Sequence, residues 1–160
     1  CKELKNINFK IAGTGPLQKL CEDFSSNVEY VGFKTGKDLE QLIAKAKFSV
    51  YPSIWYENCP LSILESESLG TPVITANYGG MKELVEDGET GILINKIDKD
   101  SLKKAIMNLY NDDEKIIEMS KKCIEKRKTM ISMQQYCKKL EEIYKQVLKG
   151  VKDENSDDRT

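Results

Sequence analysis

The chain alternates short apolar runs with amphipathic stretches, and the period of each run sets the element it predicts. Residues 8–12 (NFKIA) predict a first strand that breaks at Gly13-Thr14-Gly15-Pro16. Pro16 has the fixed φ of a first helical residue, so a helix is expected from there to about residue 24. Residues 28–31 predict a second strand. Leu39, Leu42, Ile43 and Ala46 recur at helical spacing, the apolar face of a helix after Gly36 and Lys37. Residues 48–51 predict a third strand, ended by Pro52; residues 72–76 predict a fourth and Gly91–Ile94 a fifth. Residues 60–69 read as a helix stopped by Gly70, with Asn58 or Cys59 as N-cap and Pro60 as first helical residue. Residues 81–86 read as a short helix before the Asp87-Gly88 turn. Beyond the fifth strand the pattern is helical, over Lys99–Tyr110, 112–128 and 132–148, and residues 149–160 read as a polar, disordered tail.

Strands separated by helices of this length imply βαβ units, hence an α/β fold with a Rossmann-like parallel sheet flanked by helices. Such sheets bind ligands beyond the carboxyl ends of their strands. The loops that follow strands, 13–16, 32–35, 53–60 and 77–80, are therefore expected to gather at one edge as the candidate site.

A length of 160 residues fits one domain with a core that needs no covalent staples. Lys+Arg 25 against Asp+Glu 26 leaves a net charge of -1, so no basic field favours nucleic acid. The absence of histidine excludes a His-based triad or a Cys–His dyad within these residues. Cys59, near the candidate site, thus has no imidazole to activate it. Five cysteines, an odd number with no C-x-x-C, argue against a metal knuckle or a redox motif and for a reduced, cytosolic setting. No apolar run approaches the roughly 20 residues of a membrane span. The chain opens on Cys1 and reads as a fragment of a longer protein.

The sharpest local signal is Glu57-Asn58-Cys59-Pro60-Leu61-Ser62-Ile63-Leu64-Glu65. One carboxylate precedes a helix and the second lies just over a turn inside it, roughly 7 Å along the axis. The N–H groups of Leu61 and Ser62 point out of the helix end, where phosphate is attracted. An anion seat flanked by two hydroxyl-accepting carboxylates has the layout of a sugar joined to a ribose through a pyrophosphate.

The stretch 53–91 (SIWYENCPLSILESESLGTPVITANYGGMKELVEDGETG) resembles the core signature of the retaining glycosyltransferase family 4, of the group 1 type. Glu57 and Glu65 match its Glu pair, and Gly70-Thr71-Pro72-Val73 its turn and strand. Gly79-Gly80, Glu83, Asp87-Gly88 and Gly91 match the rest. Gly13-Thr14-Gly15-Pro16 matches the family's first loop, and Val31-Gly32-Phe33 the loop near the nucleotide base. The resemblance covers about residues 8–148. It implies the C-terminal, donor-binding half of a GT-B fold, whose N-terminal half binds a carbohydrate or lipid-linked acceptor.

The resemblance further implies roles. Glu57 is the catalytic-site acid that holds donor-sugar hydroxyls, and Glu65 holds the ribose. Leu61 and Ser62 N–H groups meet the diphosphate, Gly13, Gly15 and Phe33 line the nucleotide, and Asn77, Gly79 and Gly80 lie on the sugar side. The substrate is a UDP-sugar or GDP-sugar, with no obligatory metal. The implied product is a polysaccharide or glycoconjugate. A place at the inner membrane face would come through the other half. The family's Arg–Lys pair has no match here, and Cys59-Pro60 stands where Phe-Gly is frequent. Residues 132–148 are similar to the helix that packs back toward the partner domain.

Three other readings stay open. A GT-B sugar-nucleotide epimerase would share the architecture, although the lack of histidine weakens it. A non-catalytic sugar-nucleotide-binding module would bind without transfer. A dehydrogenase-like domain is disfavoured because Gln18 stands where G-x-G-x-x-G needs its third glycine. Trp55 and Tyr56 read as packed loop anchors, Glu83 as a first-turn helix residue, and residues 115–128 as a solvated helix with a buried stripe.

Overall fold

Among the described residues, eleven elements make up the first of two compact units, Cys1–Arg127. They are β1 (Phe9–Ala12), α1 (Gln18–Glu22), β2 (Val28–Gly32), α2 (Gly36–Ala44), β3 (Ser49–Tyr51) and α3 (Leu61–Ser68). After them come β4 (Val73–Ala76), α4 (Met81–Leu84), β5 (Gly91–Ile94), α5 (Lys99–Tyr110) and α6 (Asp113–Arg127). The second unit, Lys128–Thr160, holds α7 (Met133–Asp157). The computed structural model describes residues 1–22 and 25–157. The expected end of the first helix, near Phe24, thus falls outside the described residues.

Every strand pairing is parallel, as the βαβ pattern requires. The strands form two ladders, β1-β2 and β3-β4-β5, and among the described residues none links β1 to β3. The single sheet expected from sequence is divided because β3 is short and bonds toward β4: the Ser49 N–H donates to the Pro72 carbonyl at 2.8 Å. Side chains bridge the divide, since Phe9 of β1 and Val50 of β3 pack against the same core cluster.

The three-stranded sheet is apolar on both faces. Val50, Ile74, Ile92 and Ile94 face a cluster with Ile106, Leu109 and Met119 of α5 and α6. Tyr51, Val73 and Leu93 face the other cluster, with Ile63 of α3 and Met81 of α4. Period-two alternation sends neighbours to opposite sides, and covering both faces makes β4 (VITA) fully buried.

Helix boundaries moved where capping chemistry decides them. Pro16 precedes α1, which starts at Gln18, because Gly15 opens a turn that the Gln18 N–H closes on the Gly15 carbonyl at 3.0 Å. At the C-terminus of α3, Gly70 adopts φ 79. Its N–H donates to the Glu67 carbonyl, and the Thr71 N–H reaches the Ser66 carbonyl. These are the paired bonds of a Schellman stop, which needs a residue tolerant of positive φ. Ser132 and Gln135 form a reciprocal capping box at the start of α7. The backbone of that helix runs through Asp157, past the polar tail set at residue 149. No helix among the described residues is long and apolar enough to cross a membrane.

A polar cluster lies buried beneath α3. Glu67 of α3 is 0% exposed. Its carboxylate accepts from Lys126 Nζ of α6 at 2.8 Å and from Thr90 Oγ1 at 2.6 Å. Lys126 Nζ also donates to the carbonyl of Leu84, the last residue of α4. Thr90 Oγ1 in turn accepts from the Glu86 N–H at 3.0 Å. Burial pushes the neighbouring Cys123 thiol up to about 12, so it stays protonated at neutral pH.

Ile74, with 0% exposure, lies at the centre of the larger cluster. Ile74→Ala is expected to lower the unfolding free energy by about 3 kcal/mol, as large-to-small core changes do. Urea denaturation with an unchanged slope measures this; a loss below about 1 kcal/mol contradicts the assignment of the core.

Candidate functional site

The loops after β3 and β4 emerge side by side because those strands pair in register, Tyr51 opposite Thr75. They meet backbone to backbone. The Gly80 N–H donates to the Glu57 carbonyl at 2.6 Å. A Cβ on Gly80 would stand 2.6 Å from the carbonyl carbon of Asn58 and closer still to its oxygen. Gly79, at φ 58, has Glu57 O at 2.9 Å and Tyr56 Cα at 3.1 Å from where its own Cβ would be. Two glycines are thus needed for different reasons, Gly79 for its positive φ and Gly80 for contact alone.

The loop 53–58 is braced throughout. The Tyr78 hydroxyl donates to the Ser53 carbonyl at 2.8 Å, and the Trp55 N–H donates to Ser53 Oγ at 3.2 Å. The Glu57 N–H closes on the Trp55 carbonyl at 2.9 Å. Ser53 Oγ donates to Glu57 Oε1 at 3.2 Å, which orients the half-buried carboxylate. The Tyr51 phenol lies near Glu57, and its pKa is raised by burial first and then by the carboxylate's charge. Trp55 and Tyr56 are 75% and 82% exposed. They are not the packed anchors that their apolar character suggested; Tyr78 anchors the loop, with its ring 5.1 Å from that of Tyr56.

Glu57 leads into α3. The N-cap is Pro60, not Asn58 or Cys59, and the first helical residue is Leu61. The reason is conformational: Pro60 has ψ 108, extended rather than helical, while its carbonyl accepts from the Ile63 N–H at 3.1 Å. Its side chain makes no capping bond. The missing N–H of proline therefore falls outside the helix, and Leu61 and Ser62 carry the first orphan N–H groups. Both residues are exposed, as is Glu65 one turn on.

The other predicted site residues fall in two places. Asn77, Gly79 and Gly80 follow β4, and the Asn77 side chain donates to Asn95 Oδ1 at 2.8 Å beyond β5. Gly13 and Phe33 follow the ends of β1 and β2. The Gly13 N–H donates to the Gly32 carbonyl at 3.0 Å, and the Tyr30 hydroxyl to the Gly13 carbonyl at 2.5 Å. Phe33 is exposed beside this pair, as is Gly15. Glu83 lies in the first turn of α4.

Glu67 and Lys126 had not been singled out from the sequence. A signal was present. Glu67 falls on the buried face of α3 with Ile63 and Ser66, and Lys126 continues the buried stripe of Met119 and Cys123 on α6. Opposite charges on two buried stripes point to a buried pair.

Gly80 has φ -71 and ψ -14, where alanine is at ease and would ordinarily stabilise the chain. The contact with Asn58 reverses the sign. Gly80→Ala is expected to destabilise by about 2 kcal/mol, the scale of overpacking, whereas Gly15→Ala, with open space around it, is expected to be near neutral. Thermal melts of both variants check this; an unaltered Gly80→Ala melt contradicts the packed turn.

The chain is similar to several glycosyltransferases. An uncharacterized glycosyltransferase of Methanocaldococcus jannaschii is 33% identical over 114 residues, 68% of this chain and 32% of that protein. The Escherichia coli UDP-Gal:alpha-D-GlcNAc-diphosphoundecaprenol alpha-1,3-galactosyltransferase is 33% identical over 107 residues, 67% of this chain and 27% of its own length. The chain thus spans about a third of the length of such relatives. Among solved structures, Anabaena HepE in complex with UDP superposes with a TM-score of 0.73 at 22% identity, covering 85% of this chain and 41% of HepE. The fold is accordingly the Rossmann-like C-terminal half of a GT-B protein. The family described as Glycosyl transferases group 1 matches residues 1–130, and the chain belongs to that family.

Proposed function

We propose that this chain is the donor-binding half of a retaining, family 4 type glycosyltransferase that moves a hexosyl group from a nucleotide diphosphate sugar to an acceptor. The observation that carries this is the open tip of α3. Leu61 and Ser62 are exposed at the start of α3, which has no side-chain cap, and they follow the braced Glu57 loop and precede the exposed Glu65. The names of the Escherichia coli relative and of the HepE complex contain UDP, which supports a uridine nucleotide as first ligand to test, with GDP second.

In this reading each group has one task. The Leu61 and Ser62 N–H groups take the diphosphate at the positive end of the helix dipole. Glu65 accepts from the ribose hydroxyls. Glu57, whose direction Ser53 fixes, accepts from hydroxyls of the donor sugar. Gly13, Gly15 and Phe33 border the base, and Asn77, Gly79 and Gly80 border the sugar. As the sugar leaves, charge accumulates on the diphosphate, and preorganised N–H donors stabilise it without reorganisation. The 160 residues contain no match to the family's Arg–Lys pair. Backbone donors and whatever the other half of the enzyme supplies carry that load, and no metal is assigned to the site. The acceptor, a carbohydrate or lipid-linked sugar of polysaccharide or glycoconjugate synthesis, belongs to the partner domain. That domain also places the enzyme at the inner face of a membrane.

Isothermal titration separates the roles. The chain is expected to bind UDP weakly, with Kd of about 1 mM or tighter, on the order of 4 kcal/mol. Glu65→Ala removes hydrogen bonds to a charged acceptor and is expected to cost about 1.5–3 kcal/mol of UDP affinity. Glu57→Ala is expected to leave UDP binding nearly unchanged but to weaken a UDP-hexose. Equal UDP affinity of the wild type and Glu65→Ala would sink the reading. The chain alone is expected to transfer no sugar, and a measured transferase rate would show that the catalytic set is complete within it.

A further inference from the structure

The buried cluster under α3 lies apart from the donor groups, yet it touches both elements that carry them. Lys126 Nζ reaches the Glu67 carboxylate on α3 at 2.8 Å and the Leu84 carbonyl at the end of α4. The N-cap of α4 is Gly80, whose N–H holds the Glu57 carbonyl. The start of α3 is the Leu61–Ser62 tip. One ammonium group on α6 therefore joins the far ends of the two helices whose near ends build the proposed site.

A buried ion pair is a poor device for stability. Its Coulomb gain is largely offset by desolvation, and an apolar pair of similar volume frequently serves as well. Glu67 is 0% exposed and Lys126 retains 19% side-chain exposure, so most of this cost applies. What a charged clamp adds is direction. From Glu67 to Leu61 a helix rises roughly 9 Å, so a tilt of about 10° at the clamp moves the tip by roughly 1.5 Å. Hydrogen bonds to a diphosphate do not survive a displacement of that size.

We infer that Lys126 is a positioning residue of the donor site. By gripping the Glu67 carboxylate and the Leu84 carbonyl together, it sets the spacing between the helix tip at Leu61–Ser62 and the Gly79–Gly80 turn. This rests on the donor-site reading given above. Lys126 touches no ligand itself and acts through α3 and α4.

The test compares UDP affinity and thermal stability in the whole chain and three variants. Lys126→Met strands the Glu67 charge and is expected to lower both. Glu67→Met/Lys126→Met replaces the pair by apolar side chains and is expected to restore the melting temperature. It is not expected to restore UDP affinity, which stays about tenfold or more below wild type, as misplacement of binding groups predicts. Glu67→Gln keeps acceptors for both Lys126 and Thr90, and its UDP affinity is expected to stay within about threefold of wild type. A double variant that regains stability and affinity together overturns the inference and leaves the donor site standing. Loss of affinity in Glu67→Gln equal to that in Lys126→Met also overturns it. Failure of the wild type to bind UDP overturns the donor-site reading and this inference with it. Should Lys126→Met not fold, the double variant and Glu67→Gln carry the comparison.

Discussion

The site depends on a single close approach. The loops after β3 and β4 touch through their backbones, with the Gly80 N–H 2.6 Å from the Glu57 carbonyl oxygen and no room for a side chain between them. Parallel pairing of β3 with β4 delivers the loops to one edge, as open α/β sheets do for their ligands. That pairing alone would leave Glu57 on a free loop. The glycine contact converts the loop into part of the scaffold, and Ser53 and Tyr78 complete the bracing. A functional carboxylate on a loop has to be held in this way, because binding groups act only when their geometry is fixed before the ligand arrives.

Much of this was legible in the sequence. Period and punctuation placed all five strands, and Gly91–Ile94 and Lys99–Tyr110 carry the same bounds in both readings. The order Glu57, Glu65, Gly79-Gly80 singled out the candidate site because it resembles a family signature. The misreadings share one physical origin: local rules name a residue's capacity, and tertiary context decides its use. Proline suits the first helical position, yet at α3 it caps the helix from outside, with ψ 108. An apolar Trp-Tyr pair suggests burial, yet Tyr78 takes the anchoring role and leaves both exposed. The division into two ladders follows from which neighbour a three-residue strand bonds, and no local pattern records that.

The buried pair shows the complementary case. Glu67 and Lys126 are ordinary surface residue types, and each was passed over beside the motif acids. Their positions on buried helix faces carry the information, and only the packing of α3 against α6 unites them. The motif and the clamp thus divide the work. Glu57, Glu65 and the α3 tip form the proposed chemical surface, and the charges beneath α3 and α4 hold those helices in one relation.

The central claim is that the exposed N-terminus of α3 seats a diphosphate. Amide chemical shifts of the isotopically labelled chain during a UDP titration test it most directly. The account predicts saturable shifts largest at Leu61 and Ser62, with Gly80 following. Saturable shifts elsewhere, for instance along the groove lined by Lys10, Lys34 and Lys45, with Leu61 and Ser62 unmoved, would contradict it.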